Sequence, residues 1–226
     1  MTFNESLRGE FGNGAFSMSE IAFVLGLPKK NIQYWIKELW DGKLGKHYDH
    51  KYSWFEGRAR MTNFKTLIEC YVYAQLKGLN FSMEEIFNAH HVIAEQLNTV
   101  HPFATSPLFS DGKSIFFTQN DGAVVGVDPN EKADHKQMIN SFCDKVIIST
   151  AKHSNCFYPM GKDNHVVIHP HHKFGAPTIE NTNIPAEIIA DLYDGGESTE
   201  FIAGLYDLSI PQVEAAITFF KPKAAI

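Results

Sequence analysis

The sequence predicts a mainly α-helical protein with a small β component, and three observations predict it. Helix-turn-helix patterns stand at both ends of the chain, over about 17–35 and about 184–220. Capping boxes, in which a Ser is followed three residues later by Glu or Gln, recur at Ser17/Glu20, Ser82/Glu85 and Ser209/Gln212. Strand-like apolar runs are confined to the middle, at 114–118 and 123–127, joined by an Asn120-Asp121-Gly122 turn.

Residues 1–14, rich in Asn, Gly and Ser, form a frayed lead-in. The first helix carries Ile21, Ala22, Val24 and Leu25 and is broken by Gly26-Leu27-Pro28, where Gly permits the tight turn and Pro begins a helix without needing its N–H. The next helix places Ile32, Trp35, Ile36 and Leu39 inward and Lys29, Lys30, Gln33, Tyr34 and Lys37 outward. Residues 41–60 hold Gly42, Gly45 and Gly57, a run of basic residues, and Tyr48, Tyr52, Trp54 and Phe55, which together predict a hairpin or wing. Helices over 63–77 and 82–97 follow as an antiparallel pair ending at His101-Pro102. The segment 136–149 is open between a helix and a helix followed by a strand. Val166 to Ile168 begin the tail, residues 175–185 form a Pro-stiffened loop, and three helices fall near 185–194, 198–205 and 210–220. Ile188, Ile189, Leu192, Ile202, Leu205, Val213, Ile217 and Phe220 are the expected core of that last unit. The organisation expected is therefore a DNA-binding domain over 1–62, a helix pair over 63–100 offering a dimer surface, a β-containing connector over 101–164 and a three-helix partner-binding domain over 165–226.

Charge separates the two ends. The chain has a net charge of −6, which taken alone argues against a nucleic-acid binder. Residues 1–65, however, hold ten Lys/Arg against seven Asp/Glu, whereas from His165 onward three lysines face eight acids. The amino end suits a polyanion and the acidic tail suits a protein partner. No apolar run spans a membrane, no signal-peptide pattern follows Met1, and Cys70, Cys143 and Cys156 are scattered without C-x-x-C spacing. A reduced, cytoplasmic setting is expected, with the thiols as small buried hydrophobes.

Lys29, Lys30, Gln33, Tyr34 and Lys37 on the second helix, with Lys43, Lys46, Lys51 and Arg58 in the wing region, are the candidate DNA contacts. The lysines would neutralise phosphates and Gln33 would reach a base edge. The competing reading is a solvated charged surface, and Arg58 or Arg60 has the alternative of pairing with nearby acids. His165, His169, His171 and His172 straddle a strand and Pro170, so their spacing fits surface histidines better than a metal site. The sequence holds no G-x-S-x-G, P-loop or dinucleotide fingerprint, and the carboxylate pairs Asp191/Asp194 and Glu197/Glu200 fit solvated helix faces. Neither catalysis nor a cofactor is expected.

Two stretches carry a family resemblance. Ser19-Glu20-Ile21-Ala22, Gly26-Leu27, Ile32-Gln33-Tyr34-Trp35 and the later Gly78-Leu79 before Ser82-Met83-Glu84-Glu85-Ile86 resemble the MerR-type winged helix-turn-helix family over about 16–97. Ile168-His169-Pro170, Gly175-Ala176-Pro177-Thr178-Ile179, Thr182 and Ile184-Pro185 resemble the helical family called domain of unknown function 433 over about 165–220, a three-helix, homeodomain-like unit. His101-Pro102-Phe103-Ala104-Thr105 and Asp111-Gly112-Lys113 are similar to the longer members, described as VapB-type antitoxins. The resemblance implies a PIN-domain ribonuclease toxin as partner, operator DNA as a second partner, a homodimer, and autorepression of the shared operon. A MerR-like regulator without a toxin is the alternative. The antitoxin resemblance also points to Gly175, Pro177, Ile179, Thr182, Asn183 and Ile184 as toxin contacts. Here Asn181-Thr182-Asn183 stands where the family usually has Gly-Thr-Arg, so a guanidinium fork is missing.

Overall fold

A computed structural model describes residues 14–129, 145–148 and 155–221. The protein is mainly helical with a smaller β part. Helix α1 (Met18–Leu25) is opened by a capping box in which Ser17 Oγ accepts from Glu20 N–H and Glu20 accepts from Ser17 N–H. It ends at Gly26, whose φ of 66° supplies the left-handed turn. Helix α2 (Lys29–Tyr34) runs without a break into a π-helical segment, Trp35–Leu44, and then into α3 (Gly45–Tyr48). Wide i→i+5 winding brings a carbonyl against the backbone five residues on. At Gly42 and Gly45 a Cβ would lie 3.0 Å from the oxygens of Lys37 and Trp40, so glycine is the residue that fits.

This continuation corrects one expectation: 41–48 is helical, and the hairpin is confined to β2 (Ser53–Glu56) and β3 (Ala59–Thr62). The π turn replaces the loop that the glycines predicted. Strand β1 (Phe16–Ser17) adds to β3, making an antiparallel sheet in the order β1-β3-β2.

Helix α4 (Phe64–Gly78), capped by Asn63, is the axis of the molecule. Leu67, Ile68, Cys70, Val72 and Leu76 are all at most 1% exposed, so the helix is buried round its circumference. Helix α5 (Met83–Leu97) follows with the Ser82/Glu85 capping box. A short sheet of β4 (Leu108–Ser110), β5 (Ile115–Thr118) and β6 (Val124–Gly126) comes next, antiparallel throughout, with β5 and β6 where the sequence predicts strands. Of the ambiguous segment 136–149, residues 136–144 and 149 lie outside the described residues, and β7 (Val146–Ile147) is a strand. It joins β8 (Cys156–Phe157), β9 (Val166–Ile168) and β10 (Pro177–Ile179) in the order β10-β9-β8-β7. The expected loop over 175–185 therefore begins with a strand: Thr178 pairs with Val167, and the alternation that betrays a strand is hidden because the stretch is only three residues long.

Three helices close the chain, α6 (Ala186–Asp194), α7 (Thr199–Tyr206) and α8 (Ile210–Phe220), with Ser198 and Ser209 as N-caps. Ile189, Ile202, Val213 and Ile217 fill their core. Ile188 and Leu205, also expected inside, are 41% and 57% exposed; each lies on the outward side of a short helix whose inner face is already filled. The hydrophobic core is continuous from Phe16 to Phe219. Phe23 of α1 meets Phe219 and Phe220 of α8 at ring-centroid distances of 5.1 and 5.5 Å, so the two helical ends touch. No helix among the described residues is long and apolar enough to cross a membrane.

Burying α4 on every side places Glu69 in the interior at 0% exposure. One carboxylate oxygen is 3.0 Å from His90 Nε2 and the other accepts from Phe103 N–H at 2.9 Å. His90 Nδ1 in turn lies 3.3 Å from Tyr48 Oη, which is 2.7 Å from His91 Nδ1. One network thus joins α3, α4, α5 and the 3₁₀ turn Pro102–Ala104. Glu69→Ala strands His90 and the Phe103 N–H in the core and should lower stability by about 3–5 kcal/mol in urea titration, with Glu69→Gln costing less because it retains an acceptor.

His101 is also buried, and burial first, then the charges of Lys65, His50 and His90, push its imidazole well below its ordinary pKa of 6.5. The unfolded chain takes up a proton near pH 6.5 that the folded one refuses, so folding stability should fall as pH drops below that value. Replacing His101 by Gln should make the fall shallower between pH 7 and 5, read as the change in urea midpoint.

Candidate nucleic-acid interface

The site is built on the angle between α2 and the β2–β3 hairpin. Pro28 sets the entry to α2, Ile32 of α2 and Ile36 of the π segment anchor the inner side of the helical run at 0% exposure, and Lys29, Gln33 and Lys37 are left on the outer one. The hairpin turns at Gly57, φ +58°, and Glu56 pairs with Ala59, which puts Arg58 at the tip. Between them lies a groove of about 490 Å³, lined by Lys29, Gln33 and Lys37 from the helix and Phe55, Arg58 and Arg60 from the hairpin, with Ser17, Met18 and Ser19 closing its end.

Asp41 holds the hairpin at that angle. Its carboxylate accepts from Tyr52 N–H (2.9 Å), Ser53 N–H (3.2 Å), Ser53 Oγ and Arg60 Nη1 (2.8 Å). Arg60 Nη1 also donates to Ser53 Oγ, and its guanidinium lies 4.7 Å from the Phe55 ring centroid. Arg60 is therefore the arginine that pairs with an acid, and its partner is on the π segment twelve or more residues from the hairpin it braces. The sequence offered Arg60 and its alternative of pairing, but no local spacing pointed to Asp41.

Of the predicted contacts, Lys29, Gln33, Lys37 and Arg58 share the groove. Lys37 also forms an exposed 2.9 Å ion pair with Glu38, the bond and charge of Lys37 drawing the Glu38 pKa below the usual carboxylate range. Such a pair is weak enough for a phosphate to replace it. Lys30 and Tyr34 are exposed on α2 outside the groove lining, and Lys51 is exposed ahead of β2. Lys43 and Lys46 ride the helical continuation. Lys43 reaches the other way, with Nζ 3.9 Å from Met83 Sδ and 5.7 Å from the Phe87 ring.

The tail residues divide by burial. Gly175 and Ile179 are interior, and Thr182 spends its hydroxyl within the loop, donating to Ile179 O and accepting from Ile184 N–H. Pro177 and Ile184 are partly covered and Asn183 is exposed. The large exposed apolar side chains of the tail are Phe174, in the turn before β10, and Ile188, Tyr193, Phe201 and Leu205, on helices that also carry Glu187, Asp191, Asp194 and Glu200. Periodicity misassigned two of these as core, since an amphipathic stripe cannot say which edge a neighbour leaves uncovered. His165 lies 3.6 Å from Glu180, and among the described residues no three His, Cys, Asp or Glu side chains gather as a metal site would require.

Removing Asp41 tests the brace. Asp41→Ala leaves two backbone N–H groups and a guanidinium without their acceptor, and should lower stability by about 2–4 kcal/mol while speeding amide exchange across Ser53–Glu56 and Ala59–Thr62 more than in α8.

Residues 166–220 match the family model described as Protein of unknown function (DUF433). The comparison with curated proteins gave no match. Among solved structures, the crystal structure of Rv2018 from Mycobacterium tuberculosis is similar with a TM-score of 0.60 at 14% identity, covering 89% of this chain and 96% of that one, a likeness of fold.

Proposed function

We propose that this chain is an antitoxin and autorepressor: a winged helix-turn-helix at its amino end holds operator DNA, and its tail neutralises a PIN-domain ribonuclease. The groove between α2 and the hairpin carries the reading. A helix preceded by a tight turn and flanked by a hairpin is the arrangement that lays a recognition helix in a major groove. Lys29, Lys37 and Arg58 are set to take phosphates on two sides of it, with Gln33 between them for a base edge. Asp41 keeps the hairpin at a constant angle, so little order has to be created on binding.

The toxin half rests on the sequence resemblance to VapB-type antitoxins and on the chemistry of the tail's surface. Asn183 and the exposed Ile188, Phe201 and Leu205 combine apolar contact with the acids of α6 and α7. That chemistry suits the basic RNA-binding face of a ribonuclease. A dimer would read a two-fold operator. Since α4 is buried within one chain, the dimer surface in this reading is the outer side of α5, around Met83 and Phe87.

A regulator without a toxin shares the groove and differs at the tail, so the two are separated by co-expressing the chain with the product of its neighbouring gene. The antitoxin reading expects a stable complex and inhibited RNase activity, both reduced by Phe201→Ala with Leu205→Ala while affinity for the promoter duplex is unchanged. Absence of a complex, with promoter binding intact, leaves the regulator. In the DNA assay, replacing Lys29, Lys37 and Arg58 together by Ala should flatten the dependence of log K on log salt by about three.

A further inference from the structure

The longest acid-free stretch of the tail lies at its start. Residues 166–179 hold His169, His171, His172 and Lys173 and no Asp or Glu. They form the turn between β9 and β10, and its backbone is costly: Lys173, Phe174 and Gly175 have successive φ values of 46°, 57° and 90°. Left-handed backbone disfavours a bulky side chain, and Gly or Asn fits it better. Yet the middle position is Phe174, 80% exposed to solvent. Folding gains nothing from an aromatic ring held out in water on a strained backbone, and such strain collects where a side chain is being presented.

The loop is presented toward the amino-terminal site. Ala15 N–H donates to Phe174 O at 2.9 Å. The Phe16 ring is clasped between two glycines: a Cβ on Gly14 would come within 2.8 Å of it, and one on Gly175 within 2.4 Å. Ser17, next along β1, already lines the groove together with Met18 and Ser19. At about 3.3 Å per extended residue, the loop's anchor at Ala15 is about 7–10 Å along the chain from that lip. That is two or three base-pair steps of a duplex.

We infer that the turn His169–Gly175 is a second DNA contact, with Phe174 as an apolar wedge against the sugars or a base step of the duplex and Lys173, His171 and His172 along its phosphates. This rests on the DNA-binding reading above. The turn, which carries Lys173 and no acid, is anchored beside the Ser17–Ser19 lip and so extends the groove of Lys29, Lys37 and Arg58 with a part of the tail that does not repel a polyanion. Apolar side chains inserted at a duplex edge are a known device for gaining contact by deforming the helix.

The test is fluorescence anisotropy with a duplex from the chain's own promoter region, over a range of salt, using the full-length protein. Phe174→Asn should fold at least as well as the parent, because Asn tolerates left-handed backbone, and should weaken binding about tenfold. Lys173→Ala should lower the salt slope by about one. Lys29→Ala serves as the groove control. If Lys29→Ala weakens binding while Phe174→Asn and Lys173→Ala behave like the parent, the second contact is overturned and the DNA reading stands. If Phe174→Asn instead abolishes capture of the neighbouring gene's product and leaves DNA affinity alone, the loop belongs to a protein interface and the inference is overturned. Failure of the parent chain to bind any duplex at low salt removes the DNA reading itself.

Discussion

A carboxylate in the middle of a helix buried along most of its length is the constraint on which this architecture turns. Helix α4 is apolar enough to be enclosed on all sides, but Glu69 makes enclosure possible only if partners are delivered to both its oxygens. His90 from α5 and the Phe103 amide from the turn after it deliver them. Those elements are thereby held in one register about α4, and Tyr48 extends the network to the end of the helical run that begins with α2. The amino-terminal groove therefore stands on a scaffold whose largely apolar interior is organised round one buried carboxylate.

The same logic recurs at the surface, with smaller stakes. Asp41 braces the hairpin as Glu69 braces the core, by gathering backbone amides and a cation on one carboxylate. Because Arg60 is committed to that brace, Arg58 at the hairpin tip and Lys29 and Lys37 across the groove are the cations whose charge is available to a ligand. Two arginines two residues apart thus do different work, one structural and one directed outward.

Phe16 and Phe23 tie the tail to this site. Phe16 is enclosed by Gly14 and Gly175, and Phe23 rests on Phe219 and Phe220. The tail is consequently packed against both ends of α1 instead of hanging from a linker, so a partner that moves α8 would act on a helix beside the groove. Coupling of that kind needs contiguous packing, which the continuous core provides.

The sequence by itself determined the local elements. Capping boxes at Ser17, Ser82 and Ser209, the left-handed Gly26 and the Asn120-Asp121-Gly122 turn are set by groups three or four residues apart, and each appears where those residues predict it. It also placed Lys29, Gln33 and Lys37 on one helix face, since that face follows from a 3.6-residue period. Only the tertiary structure decided that the helix continues through 41–48, carrying Lys43 to Met83 and Phe87 of α5, that Asp41 meets Arg60, that 177–179 pairs as a strand, and that Ile188 and Leu205 face water. These outcomes depend on i→i+5 winding and on partners far along the chain. Periodicity reports which side of an element is apolar, whereas the neighbour that covers it, or leaves it open, is chosen by packing.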